Sequence, residues 1–188
     1  GYTASTATPL ADPGMLQSFV ETISVKHSPR DFVNTRNLDL LAELFATEFR
    51  KYTPNVTFQP FEVRGNEYRN VIAVFESQGA ADTIVIGAHY DAADRFPGAD
   101  DNASGVAGLL ELARLVSGKN YPFNLVLAAY TLEEPPFFRS EDMGSVRHAQ
   151  ALKASGTKVK LMISLEIIGY FSDEPNSQTY PAPLLQYL

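Results

Sequence analysis

Three short runs that are apolar on both faces, Thr83 to Ala88 (TIVIGA), Asn124 to Tyr130 (NLVLAAY) and Lys160 to Phe171, alternate with segments of helical periodicity. A strand of that kind must be covered on both sides, and intervening helices supply the cover. The pattern therefore predicts an α/β fold: a three-layer α/β/α domain with a twisted, mostly parallel mixed sheet and binding groups at the carboxyl ends of its strands. The helices are read at Pro13 to Ser24 (Leu16, Phe19, Val20, Ile23), Asn37 to Tyr52 (Leu38, Leu41, Phe45, Phe49), Asn102 to Val116 (Val106, Leu109, Leu110, Ala113) and Asp142 to Ala154. Asn102 stands as the N-cap of the third and Gly118 just past its end. Val56 to Val63 alternates as a strand whose Pro60 suits a sheet edge, and Asn70 to Phe75 is a further short strand.

With 188 residues and no internal repeat, the chain is expected to form one domain, 1–188, opening on a polar lead over 1–12. Its Pro-rich end, YPAPLLQYL, stops on a fresh apolar group with no closing element, which predicts a domain cut short at the C-terminus and an exposed sheet edge open to self-association. A formal net charge of -7 without any basic run argues against nucleic acid as a partner. No stretch approaches the roughly 20 apolar residues of a membrane span. The small, polar start GYTASTATPLADP reads as that of a mature exported chain, so a secreted or periplasmic location is expected. The chain has no cysteine, so any metal must be held by His, Asp and Glu.

Acidic residues collect where the apolar runs end. His89-Tyr90-Asp91 closes TIVIGA, and alternation in an extended chain puts His89 and Asp91 on one side with Tyr90 on the other. Asp91 can then orient the imidazole through its second nitrogen, although a hydrogen-bonded His-Asp pair at a strand end would read the same. Asp100 and Asp101 precede the third helix, where capping is the ordinary explanation. Glu133 and Glu134 follow NLVLAAY, and Glu166 stands in the third apolar run, where a carboxylate needs a cation or a proton. Taken together, one histidine and several carboxylates at successive strand ends suit divalent metal and amide hydrolysis.

The order IVIGAHYD, PGADDNASGVAGLLELAR, LEE, SLEIIGY resembles the zinc aminopeptidases of peptidase family M28 from about Asn70 to Tyr170. The resemblance implies a phosphorylase/hydrolase-like zinc exopeptidase fold acting on a peptide with a free N-terminus. It implies His89 as a ligand of one zinc, Asp100 as the bridging carboxylate, Glu134 as a ligand of the second zinc, Glu133 as general base and Asp91 as the orienting group of His89. It also implies a cis peptide between Asp100 and Asp101. Glu166 stands where better-known members have aspartate and is assigned beside His89. The complete family site holds two zinc ions, the second also bound by a late histidine. The chain ends before any such residue, so one ion or none is expected here; His27 and His148 read as surface or capping groups. Two other readings follow from the same resemblance, a one-zinc glutaminyl cyclase and a non-catalytic binding or structural relative.

Overall fold

The computed structural model describes residues 11–175 and Ser177; most of the polar lead and the Pro-rich end lie outside the described residues. Among the described residues five strands form one sheet: β1 (Val56–Val63), β2 (Asn66–Phe75), β3 (Thr83–His89), β4 (Asn124–Tyr130) and β5 (Val159–Ser164), in the order β1-β2-β4-β3-β5. Four α-helices among the described residues accompany it: α1 (Pro13–Glu21), α2 (Thr35–Arg50), α3 (Gly105–Val116) and α4 (Gly144–Ala154). β1 and β2 are joined by the two-residue turn Arg64-Gly65, both at positive φ, the turn geometry that matches the twist of an antiparallel hairpin. β2 is also antiparallel to β4, whereas β3 lies parallel to both β4 and β5. The sheet is thus evenly mixed rather than mostly parallel. Strand periodicity reveals a strand but not its direction, and the tight turn sets only that of β1 against β2.

Alternation along the strands divides the core in two. Val71, Ala73, Leu127 and Ala129 pack with Leu41, Phe45 and Phe49 of α2 and Leu109 and Leu110 of α3, while Ile72, Val126 and Ala128 meet Leu152 of α4 on the other face. Each fully buried Leu or Phe stabilises the fold by about 1.5–3 kcal/mol. Phe45 stands edge-on to Tyr90 at 5.4 Å, which ties the main core to the end of β3. Asp12 caps α1 by accepting the backbone N–H of Gly14 and Met15, and Pro13 takes the first helical position, where no donor is needed.

Two element expectations are corrected and one is met. The third apolar run is strand only over Val159–Ser164, and 165–171 follow as irregular chain. β5 lies at one of the two edges formed by the described strands, with Leu161, Met162 and Ile163 between 39% and 48% exposed, so apolarity on both faces does not translate into central burial here. Asn102 caps the third helix as expected: its own φ and ψ are non-helical, Ser104 is already helical, and its Oδ1 accepts the N–H of Gly105 at 3.2 Å at the end of the irregular turn that leads into α3. Among the described residues no helix is long and apolar enough to cross a membrane.

Candidate metal centre

β3 and β4 run parallel with His89 opposite Tyr130, so their carboxyl ends open side by side. Tyr90 turns into the core and donates its hydroxyl to the carbonyl of Arg69 at 2.6 Å. His89 and Asp91 remain together on the other side. The Asp91 carboxylate lies 3.5 Å from His89 Nδ1 and accepts the backbone N–H of Glu133 at 3.2 Å and of Glu134 at 3.0 Å. His89 Nδ1 also has the Asp91 main-chain carbonyl at 3.2 Å, so Asp91 orients the imidazole through main chain and side chain together, while its buried carboxylate fixes the acidic pair after β4. With Nδ1 turned toward Asp91, Nε2 is the nitrogen left to bind a ligand.

His89 Nε2 faces carboxylates from three segments: Asp101 at 3.1 Å, Glu166 at 3.3 Å and Glu133 at 3.7 Å. Ligand atoms of His89, Asp101 and Glu166 all lie within 4.8 Å of one another, and so do those of His89, Glu133 and Glu134. This concentration of negative charge leaves its mark on the titrating groups. Burial disfavours the imidazolium of His89, yet hydrogen bonding and attraction from Asp91 and Glu166 outweigh it and raise its pKa to about 11. Burial raises Glu133 to about 7; His89 opposes the shift, and Asp91, Glu134 and Glu166 add to it. Glu134 is raised by burial and by Asp101. A nest that stabilises a proton this strongly suits a divalent cation, and its nitrogen-and-carboxylate donors fit zinc.

Of the residues expected at the site, His89, Glu133, Glu134 and Glu166 converge, with Asp91 behind them, and Asp100 does not. Asp100 accepts the backbone N–H of Gly169 at 2.8 Å and the hydroxyl of Ser104 at 3.2 Å, and its neighbour Asp101 takes the place against His89. The cis peptide likewise falls between Asp101 and Asn102, one bond later than expected. The displaced groups still serve the site. Asn102 donates to the carbonyl of Leu165 at 2.8 Å and Ser104 accepts the N–H of Ile168 at 3.1 Å, so the turn straps down 165–169 and delivers Glu166. Glu166 itself is half-exposed beyond the end of β5 and not within a central strand.

His148 is buried against the Tyr130 hydroxyl at 2.8 Å, which corrects its reading as a surface or capping group. Among the described residues, neither it nor His27 joins the acidic groups around His89. Arg30, which carried no signal in the local sequence, is fully buried beside the site and donates to the carbonyls of Tyr90, Pro97 and Gly98.

Known proteins share this arrangement of elements. The chain is 44% identical over 188 residues to the uncharacterized protein YfbL of Escherichia coli (strain K12), covering 95% of this chain and 56% of that protein. It is 30% identical over 159 residues to a probable zinc metalloprotease of Pyrenophora tritici-repentis (strain Pt-1C-BFP), covering 72% of this chain and 32% of that one. It thus spans about half or less of these relatives. The fold matches the crystal structure of a glutaminyl cyclase from Bacteroides thetaiotaomicron with a TM-score of 0.71 at 24% identity, over 87% of this chain and 64% of that one. The sequence profile described as peptidase family M28 matches residues 70–186, more than half of the chain. On these grounds the chain belongs to peptidase family M28.

Proposed function

We propose that this chain carries the catalytic face of a zinc-dependent exopeptidase of aminopeptidase type, which hydrolyses the first peptide bond of a substrate with a free N-terminus. The observation that carries the reading is the convergence of Asp101, Glu166 and Glu133 on His89 Nε2 within 3.1–3.7 Å. His89, Asp101 and Glu166 would hold one zinc, and Asp101 with Glu134 would contribute to a second. Bound zinc would supply Lewis acidity toward the scissile carbonyl and acidify the attacking water. Glu133, half-buried and raised to about 7, can accept the proton of that water at Oε2 near neutral pH and return it to the leaving amine. The surrounding carboxylates suit the substrate ammonium.

A second reading is supported by the fold likeness to a glutaminyl cyclase. In that reaction the substrate amine attacks its own side-chain amide and ammonia leaves. Both reactions are distinguishable in the full-length protein, by assaying aminoacyl anilides for anilide release and a glutaminyl peptide for ammonia. The exopeptidase reading expects anilide release that Glu133→Gln abolishes while zinc content is retained. Ammonia release without anilide hydrolysis would favour the cyclase, and Glu133→Gln at the parent rate would refute the role given to Glu133.

A further inference from the structure

Among the described residues Arg30 is the largest side chain buried completely, at 0% exposure. Its Nε donates to Tyr90 O at 2.8 Å and its Nη2 to Gly98 O at 2.7 Å, with Nη1 on Pro97 O. Its own carbonyl accepts the N–H of Ala92 at 3.2 Å. The guanidinium therefore bridges two segments: Tyr90 lies between His89 and Asp91, and Gly98 lies three residues before Asp101. Gly98 has φ +55, and a Cβ there would stand 2.6 Å from Arg30 Nη2 and 2.2 Å from Asp101 O, so the loop is shaped to accept the guanidinium. Gly98 O also accepts the N–H of Ala103 at 3.1 Å, which carries the restraint across Asp101.

A buried charge is costly, and an apolar side chain could fill the same volume. Among the described residues Arg30 forms no ion pair at contact distance; its compensation comes from three carbonyls and from the field of Asp91, Asp101 and Glu134. Those are groups of the candidate metal centre. Burial lowers Arg30 to about 10, so it stays charged at neutral pH. A planar guanidinium can hold several acceptors in fixed directions, which an ammonium cannot.

We propose that Arg30 is a positioning residue of the metal centre: it holds the loop bearing Asp101 against the strand end bearing His89, so that the ligands are assembled before metal enters. This inference rests on the metal-centre reading above.

The test is a Co2+ titration of the metal-free protein, followed by its visible spectrum, in the parent, Arg30→Met and Arg30→Lys, with urea unfolding measured beside it. We expect the parent to bind Co2+ and both variants to fold. Arg30→Met should bind at least about tenfold more weakly with an altered visible band, and Arg30→Lys should recover unfolding stability without recovering affinity. Parent-like affinity in the folded variants would overturn the inference. So would a loss of affinity that follows unfolding stability in both, or failure of both to fold, since Arg30 would then serve the fold as a whole. A parent that binds no Co2+ would instead refute the metal-centre reading, and the inference with it.

Discussion

The Asp91 carboxylate accepts the backbone N–H of Glu134 at 3.0 Å, and the same group receives Glu133 N–H and stands 3.5 Å from His89 Nδ1. A side chain just past β3 thus sets the position of two carboxylates just past β4. Replacing Asp91 with Asn keeps the main-chain carbonyl that faces His89 Nδ1 but leaves one side-chain oxygen for two backbone N–H donors and turns an amide N–H toward them. Zinc affinity should fall about 10–100-fold, read by calorimetric titration. Unchanged affinity would show that the Asp91 contacts do not support the site.

The two adjacent aspartates have opposite duties, and substitution separates them. Asp101→Ala removes a group 3.1 Å from His89 Nε2, whereas Asp100→Ala removes only a tether to Gly169 and Ser104. Zinc titration should show the larger loss for Asp101→Ala, beyond the about 10–100-fold typical of an outer residue. The reverse order would restore Asp100 as the ligand.

Gly144 opens α4 where the backbone passes close to the end of β4. A Cβ there would stand 2.2 Å from Asn70 Oδ1 and 2.6 Å from Thr131 O, and Asn70 is itself buried and bonded to Gly144 O at 2.8 Å. Gly144→Ala should therefore destabilise the protein by about 1–3 kcal/mol, measured by urea unfolding.

Much of this was legible because charge at the end of an apolar strand is conspicuous. His89, Glu133 and Glu134 follow such strands directly, and their convergence needs only parallel neighbours with matched register. Asp100 and Asp101 could not be separated that way: they sit in an irregular turn, where no simple period says which side chain faces inward. Arg30 was invisible because its partners lie 60 to 68 residues away. β5 misled because its composition predicts burial on both faces, and the described neighbours do not cover it.

Acid should unfold the protein partly through His148. Burial lowers its pKa to about 4, with its Nδ1 against the Tyr130 hydroxyl. In the unfolded chain the group titrates near about 6.5, so between these values the unfolded state binds the extra proton. The stability contributed by neutral His148 is complete above pH about 6.5 and is lost as pH falls toward about 4, a change of about 3 kcal/mol. Urea unfolding at several pH values should show a shallower acid slope in His148→Gln than in the parent; parallel slopes would assign the acid sensitivity elsewhere.

Binding of zinc to the metal-free protein, measured by calorimetry at neutral pH in two buffers of different ionisation enthalpy, addresses the centre most directly. The parent should bind zinc and release protons, because a histidine raised to about 11 must give up its proton to become a ligand, and His89→Ala should lose that binding. Absence of zinc binding in the parent, or equal binding in His89→Ala, would contradict the assignment of a metal centre at the ends of β3 and β4.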